Sequence, residues 1–328
     1  MEESLGQAQA AWLGDGLAMA WRAMEGSSSK LTESSSALST VCPEYGGLSP
    51  KCGLNDDAFE AVSQVTSSAT WQIPEGVLIF VDWDDTLFPT TWLEEKPKFQ
   101  QWWKGECTPA EVLSAHEHMA LQELDKTARG FVVAASQLGK VCCVTLAKRP
   151  WVDRTIQAFL PRLAEAWNEI GIETHYASEE KVETRCMSPG SWDVSKQVRA
   201  NDEESQLAQA QVFSKKKQHT MIKALRKYYG GRRHSWKNVL SFGDGPYERR
   251  ALQDIGFEHQ NPVSSRTGEV KPLKVKTVKL MEDPDVEQIC HTLQLLQAWL
   301  PKMVFWDTDF DMDLGADADS DDLWFIPP

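Results

Sequence analysis

Five consecutive apolar residues, Val77-Leu78-Ile79-Phe80-Val81, run directly into Asp82-Trp83-Asp84-Asp85-Thr86. An unbroken β-rich apolar run is the mark of a strand buried on both faces, as in a parallel sheet covered by helices. Val141-Cys142-Cys143-Val144-Thr145 and Asn238-Val239-Leu240-Ser241-Phe242 repeat the pattern, and Ile172–Tyr176 and Val275–Leu280 are weaker versions of it. Helical stretches lie between them. Residues 109–138 are rich in helix formers, and Val152, Ile156 and Phe159 recur at helical spacing up to Leu160, where Pro161 should break or restart the helix. Ile289, Leu293, Leu296 and Leu300 give a closing amphipathic helix. Strands alternating with helices predict an α/β fold, a Rossmann-like doubly wound parallel sheet with helices on both faces.

The two ends of the chain have a different composition. Residues 1–70 read as a mostly disordered region with one amphipathic stretch, Ala11–Trp21, and seven serines between Ser27 and Ser39. Residues 304–328 read as a solvated acidic tail. Eight aspartates fall between Asp307 and Asp322 with no Lys or Arg, supplying more than half of the formal net charge of -14. An EF-hand loop starting at Asp309 fails, because Leu314 stands where glycine is required.

Several function classes are disfavoured. An acidic chain lacks the basic surface that displaces counterions from nucleic acid. No apolar run reaches the roughly 18 residues of a spanning helix, and Glu2 and Glu3 stand where a secretory signal would be basic. The expectation is a soluble, cytoplasmic protein. Seven cysteines without a CxxC or Cys/His cluster suggest neither a disulfide scaffold nor a structural zinc site. The fourteen tryptophans are read as packing residues.

Ligands of open α/β sheets bind at the carboxyl ends of the strands. Asp82, Asp84 and Asp85 follow the first strand, Thr145 ends the second, and Gly243-Asp244-Gly245-Pro246-Tyr247-Glu248 follows the third strong one. Between them Lys215-Lys216-Lys217 heads a helix whose apolar face carries Met221, Ile222 and Leu225. Clustered carboxylates repel unless a cation or proton intervenes. Acids, a hydroxyl and a lysine suit a hard cation and a phosphate group.

The hydrophobic strand plus DxDxT, the strand ending in Thr, the lysine ahead of a helix and the strand plus GDxxxE resemble, in order, the four motifs of the haloacid dehalogenase (HAD) superfamily. The resemblance spans residues 74–303, and Asp-Trp-Asp-Asp-Thr-Leu is similar to the form found in uncharacterised algal and protist members. It implies a magnesium-dependent phosphomonoester hydrolase. Asp82 would be the nucleophile that forms an aspartyl-phosphate, and Asp84 the general acid and then base. Thr145 would bind phosphoryl oxygens, and Thr86 belongs to the motif as a supporting residue. Mg2+ would be held by Asp82, Asp244 and the main-chain carbonyl of Asp84. Glu248 would be a ligand through water or a brace. Lys217, four before Met221, is the favoured motif lysine, with Lys215, Lys216 and Lys223 as alternatives. Asp85 is the variable position, facing solvent or capping the next turn.

The acid at Asp84 separates the phosphatases and phosphotransferases of that superfamily from its dehalogenases, and Trp83 replaces the lysine of P-type ATPases. Residues 88–118 and 178–213 are read as small insertions, the second polar and mostly irregular. Neither has the size of an independent lid, so the expected site is open or minimally covered. That suits a macromolecular substrate such as a phosphoprotein, with small phosphorylated metabolites possible if 88–118 folds over. A catalytically silent binding scaffold and a phosphotransferase or phosphomutase are the rival readings. The sequence does not specify an oligomeric state.

Overall fold

The computed structural model describes residues 73–180, 203–230, 234–263 and 268–315. The expected N-terminal helix at 11–21, the serine-rich stretch, residues 181–202 of the second insertion and the acidic residues from Asp317 onward lie outside the described residues.

Among the described residues, six strands form one sheet: β1 (Val77–Val81), β2 (Lys140–Thr145), β3 (Glu173–Tyr176), β4 (Asn238–Gly243), β5 (Lys274–Lys279) and β6 (Phe310–Asp313). Their order is β3-β2-β1-β4-β5-β6, and every neighbouring pair is parallel. Side-chain alternation sorts β1 between two cores. Val77, Ile79 and Val81 enter one, Leu78 and Phe80 the other. Full burial of each such side chain stabilises the fold by about 1.5–3 kcal/mol. β1 is therefore central because its sequence leaves no face for water.

The first core is closed by α4 (Ala115–Leu138), α5 (Trp151–Phe159), α6 (Pro161–Ile170) and α9 (Val286–Phe305), with α4 packed along α9. The second is closed by α7 (Glu203–Tyr229) and α8 (Pro246–Glu258), which pack on each other. Helices on both faces of a parallel sheet are consistent with a Rossmann-like fold. Three short helices, α1 (Thr90–Glu94), α2 (Phe99–Lys104) and α3 (Pro109–Val112), fill the connection between β1 and α4. Among the described residues, no helix is long and apolar enough to cross a membrane.

Local chemistry sets the helix ends. The stretch 109–138 is interrupted at Ser114, whose extended backbone and capping box with Glu117 start α4 afresh. Pro161 opens α6 directly after Leu160, whose backbone is non-helical, and the buried Asp125 carboxylate on α4 accepts from the amides of Arg162 and Leu163 at its first turn. At the far end of α9, the ammonium of Lys276 donates to the carbonyls of Met303 and Val304 at 2.8 Å. A lysine in the middle of a buried strand thus caps a helix.

One expectation needs correction. The acidic segment does not become a solvated tail at 304: α9 runs to Phe305 and residues 310–313 add the sixth strand, so the sheet extends past 303. The aspartates mask a period-two pattern. Phe310, Met312 and Leu314 enter the core, while Asp311 and Asp313 turn to Arg249, which meets Asp311 at 2.6 and 2.7 Å and Asp313 at 2.9 Å. Within the 178–213 insertion, α7 begins at Glu203. The 88–118 segment packs against the body of the fold. Phe99, Trp102, Val112 and Leu113 are buried in the main core, because its aromatic residues pack against Trp151 and Phe159 of α5.

Candidate functional site

The site lies where β1 and β4 end side by side. From β1 the chain crosses to β2, from β4 to β5, so the connections diverge at these strand ends, the place where ligands of open α/β sheets bind. The amide of Asp82 still pairs with the carbonyl of Phe242 at 2.9 Å, so the sheet ladder itself fixes the first acid against β4. The following loop is closed by its own bonds: Asp85 N to Phe88 O at 2.8 Å and Phe88 N to Trp83 O at 3.0 Å. Trp83 is buried, its ring stacked on Phe88. Asp85 is buried and holds the next turn, the second of its two expected roles. It adopts φ 50 and accepts from the amide and hydroxyl of Thr91 at 3.0 and 2.6 Å, holding the first turn of α1.

Three carboxylates converge. Asp82, Asp244 and Glu248 each offer an oxygen, and the three atoms lie within 4.8 Å of one another. Lys217 is the lysine that meets them. Its fully buried ammonium donates to Asp82 Oδ2 at 2.7 Å and pairs with Glu248. The alternatives are engaged elsewhere: Lys215 with Gln218 and Asp254, Lys216 with the carbonyl of Ser178, Lys223 with Glu180. Helical register explains the selection. The residues that face the sheet below Lys217 are Met221, Ala224 and Leu225, and position 217 continues that stripe upward. Lys217 side-chain length then brings its charge to the strand end.

Three carboxylates against one ammonium leave a formal charge of two minus in a buried space. The proton affinities respond. Burial raises the Asp82 carboxyl above its ordinary range and the Asp84 charge adds to this, while Lys217 opposes it. Asp244 is pushed up to about 7, by burial first and by Asp82 second, against the pull of Lys217. Protons or a cation must offset that excess charge. The donor set fits a hard divalent cation, since every ligand atom is a carboxylate oxygen. Gly243 makes room for the third acid. A Cβ at this glycine would lie 2.6 Å from Glu248 Cγ and Oε2.

Asp84 stands apart from this group. Its Oδ1 accepts from Thr90 Oγ1 at 2.6 Å and Trp151 Nε1 at 2.7 Å, and its Oδ2 from Thr145 Oγ1 at 2.8 Å. The Thr145 hydroxyl also accepts from the amide of Ala147 at 2.9 Å. Thr145 is therefore at the site as the strand pattern predicts, but its hydroxyl is directed at Asp84. Thr86 bridges the two loops, with its hydroxyl accepting from the Asp244 amide at 3.1 Å and lying 3.4 Å from Asp244 Oδ1.

The structure thus gathers Asp82, Lys217, Asp244 and Glu248 into one cluster and Asp84, Thr145, Thr90 and Trp151 into a second beside it. Glu248 reaches the cluster with its carboxylate and pairs with Lys217. Thr90 and Trp151 were not singled out from sequence. Trp151 stands six residues past Thr145, in a loop already marked by its strand end, and that position was the available signal. Compared with protein-family models, curated proteins and solved structures, the chain matches none.

Proposed function

We propose that this protein is a Mg2+-dependent phosphomonoester hydrolase of the HAD type, working through an aspartyl-phosphate on Asp82. The observation that carries the reading is the meeting of Asp244, Glu248 and Lys217 at the β1/β4 strand ends with Asp82, which lies more than 130 residues before them in the chain. Charge accounting favours it: two negative charges in excess suit a divalent ion, and a lysine beside the nucleophile suits a phosphate dianion.

Asp82, Asp244 and Glu248 would hold the ion; when bound, it would neutralise the acids and polarise the phosphoryl oxygens. The protein's residues divide the remaining work. Lys217 Nζ holds Asp82 Oδ2 and presents positive charge to the phosphoryl group. Asp82 attacks phosphorus through a carboxylate oxygen, and the ester oxygen leaves with a proton from Asp84. Asp84, now ionised, takes a proton from water as that water attacks the aspartyl-phosphate, which releases inorganic phosphate and restores Asp82. Two neighbouring acids can take opposite roles because their surroundings differ. Asp82 faces an ammonium, whereas Asp84 is surrounded by neutral donors.

Among the described residues, the 88–118 segment packs into the main core, which supports reading the site as one without a separate lid. A site without a lid domain suits phosphate on a large substrate such as a phosphoprotein, whose own bulk excludes water. The test is hydrolysis of a generic aryl phosphate at neutral pH. Turnover that requires magnesium and disappears with EDTA and in Asp82→Asn is expected. Bound metal without turnover across a broad panel of esters would instead support a silent scaffold, and transfer to an added alcohol a phosphotransferase.

A further inference from the structure

We propose that Phe213 and Tyr247 are specificity-determining residues that receive the organic part of the phosphate ester, and that this part is an aromatic ring, as in phosphotyrosine. The inference deepens the hydrolase reading above and rests on it. Its basis is an aromatic pair that stands beside the carboxylates and is used by no step of the chemistry.

Chain direction brings the two rings there. The Tyr229 hydroxyl, at the end of α7, lies 2.8 and 2.9 Å from the carbonyls of Gly76 and Asn238, where β1 and β4 begin. Lys217 meets Asp82 where β1 ends. α7 therefore runs from the strand ends to the strand starts. Phe213 precedes Lys217 by one turn on the same side of this helix, and its side chain leans further toward the helix start, beyond the ammonium. Tyr247 directly precedes Glu248 in the first turn of α8. Its ring folds back over Gly245. A Cβ at this glycine would lie 3.0 Å from Tyr247 Cδ2 and 3.4 Å from Glu248 Oε2, so one point in space neighbours both the ring and the acid. The two rings meet edge to face, with centroids 5.5 Å apart and planes at 87°. Both are half-buried, which leaves aromatic surface for another group.

The two helices are already joined without these rings. Met221 and Leu225 of α7 share the second core with Ala251, Leu252 and Ile255 of α8, and Lys215 and Gln218 reach Asp254 and Glu258 at 3.2 and 3.0 Å. The chemistry of the ester selects the ring as occupant. In an aryl phosphate the ring is joined to phosphorus through a single oxygen. With the phosphoryl group at Asp82 and Lys217, that ring stands at the rim where Tyr247 and Phe213 are. A further ring there gains edge-to-face or offset stacking in addition to burial. A phosphoserine places only a methylene at that point, with no π-face to offer.

The experiment measures, by calorimetric titration in magnesium, how tightly the protein binds phenylphosphonate and methylphosphonate, two unreactive stand-ins for the ester that differ in the ring. The comparison is made in the parent, Tyr247→Ala, Tyr247→Phe and Phe213→Leu, the last keeping an apolar side chain for the helix packing. The parent is expected to favour phenylphosphonate. Tyr247→Ala should reduce that preference about three- to tenfold while methylphosphonate binds as before. Phe213→Leu should reduce it by less, and Tyr247→Phe should keep it. A parent that binds the two alike, or variants that weaken both alike, the mark of a merely structural role, would overturn the inference while leaving the hydrolase reading in place. A parent that binds neither with magnesium would overturn the hydrolase reading, and the inference with it.

Discussion

Replacing Lys217 by methionine tests the electrostatics of the site without reference to any substrate. The ammonium is fully buried, 2.7 Å from Asp82 Oδ2 and paired with Glu248. Removing one partner of a buried ion pair costs about 3–5 kcal/mol, because the remaining charge has neither water nor a counterion. In Lys217→Met three convergent carboxylates face no cation at all. The loss is a large part of the 5–15 kcal/mol that typically holds a domain together, yet it leaves the protein folded. Urea unfolding followed by tryptophan fluorescence in metal-free buffer reads it as a lower midpoint at unchanged slope. Two controls follow from the same charge count. Adding Glu248→Gln returns the excess to two negative charges and should recover a substantial part of the loss, since the two positions are in contact. Acidic buffer should shrink the penalty, because the raised Asp82 and Asp244 carboxyls then take up protons. A Lys217→Met midpoint within about 1 kcal/mol of the parent would refute the reasoning, since it would mean that the lysine is not compensating buried charge.

Gly243→Ala drives a Cβ to 2.6 Å from the Glu248 carboxylate, so thermal unfolding should show a loss of about 1–3 kcal/mol, and calorimetric titration a weakened affinity for divalent cations. Asp244 titrates at about 7 in the fold against 3.8 in the reference state, so it binds a proton that the unfolded chain has released. Its contribution is therefore present below 3.8 and is lost as pH rises through about 7. In metal-free protein the melting temperature of Asp244→Asn should fall less between pH 5 and about pH 8 than that of the parent; parallel curves would contradict this. Phe310→Ala should cost about 3–5 kcal/mol in chemical unfolding, because its ring is buried in the main core as part of β6. A solvated tail at this position would give almost no change.

The parts of this fold that could be read in the sequence are those where composition and burial agree. β1 is apolar on both faces, and its five residues are buried accordingly. Pro161 and Ile289–Leu300 act as their local chemistry dictates. β6 was hidden because its outward residues are aspartates, whose charge dominates any composition window. The sign that it is a strand is the alternation of Phe310, Met312 and Leu314 with those acids, and its partner is an arginine 62 residues away from Asp311. β5 was a weak signal for a similar reason, as its buried Lys276 caps a helix that sequence order places later.

At the site, motif spacing pointed to Asp82, Lys217 and Asp244, and each reaches the same strand ends. Register alone left four lysines open. The choice between them depends on rotation of α7 about its axis, which packing of Met221 and Leu225 against the sheet decides. The direction of a side chain was not legible. Thr145 bonds to Asp84, and Asp84 is held by a threonine and a tryptophan from two further elements. Such contacts form only when the β1 and β2 loops meet in space.

Acid-quenched mass spectrometry of the protein turning over an aryl phosphate in magnesium tests the central claim most directly. The account predicts a phosphoryl group on the peptide bearing Asp82, abolished by EDTA and by Asp82→Asn and accumulating in Asp84→Asn. Turnover that continues in Asp82→Asn, or a phosphoryl group carried by any other side chain, would contradict it.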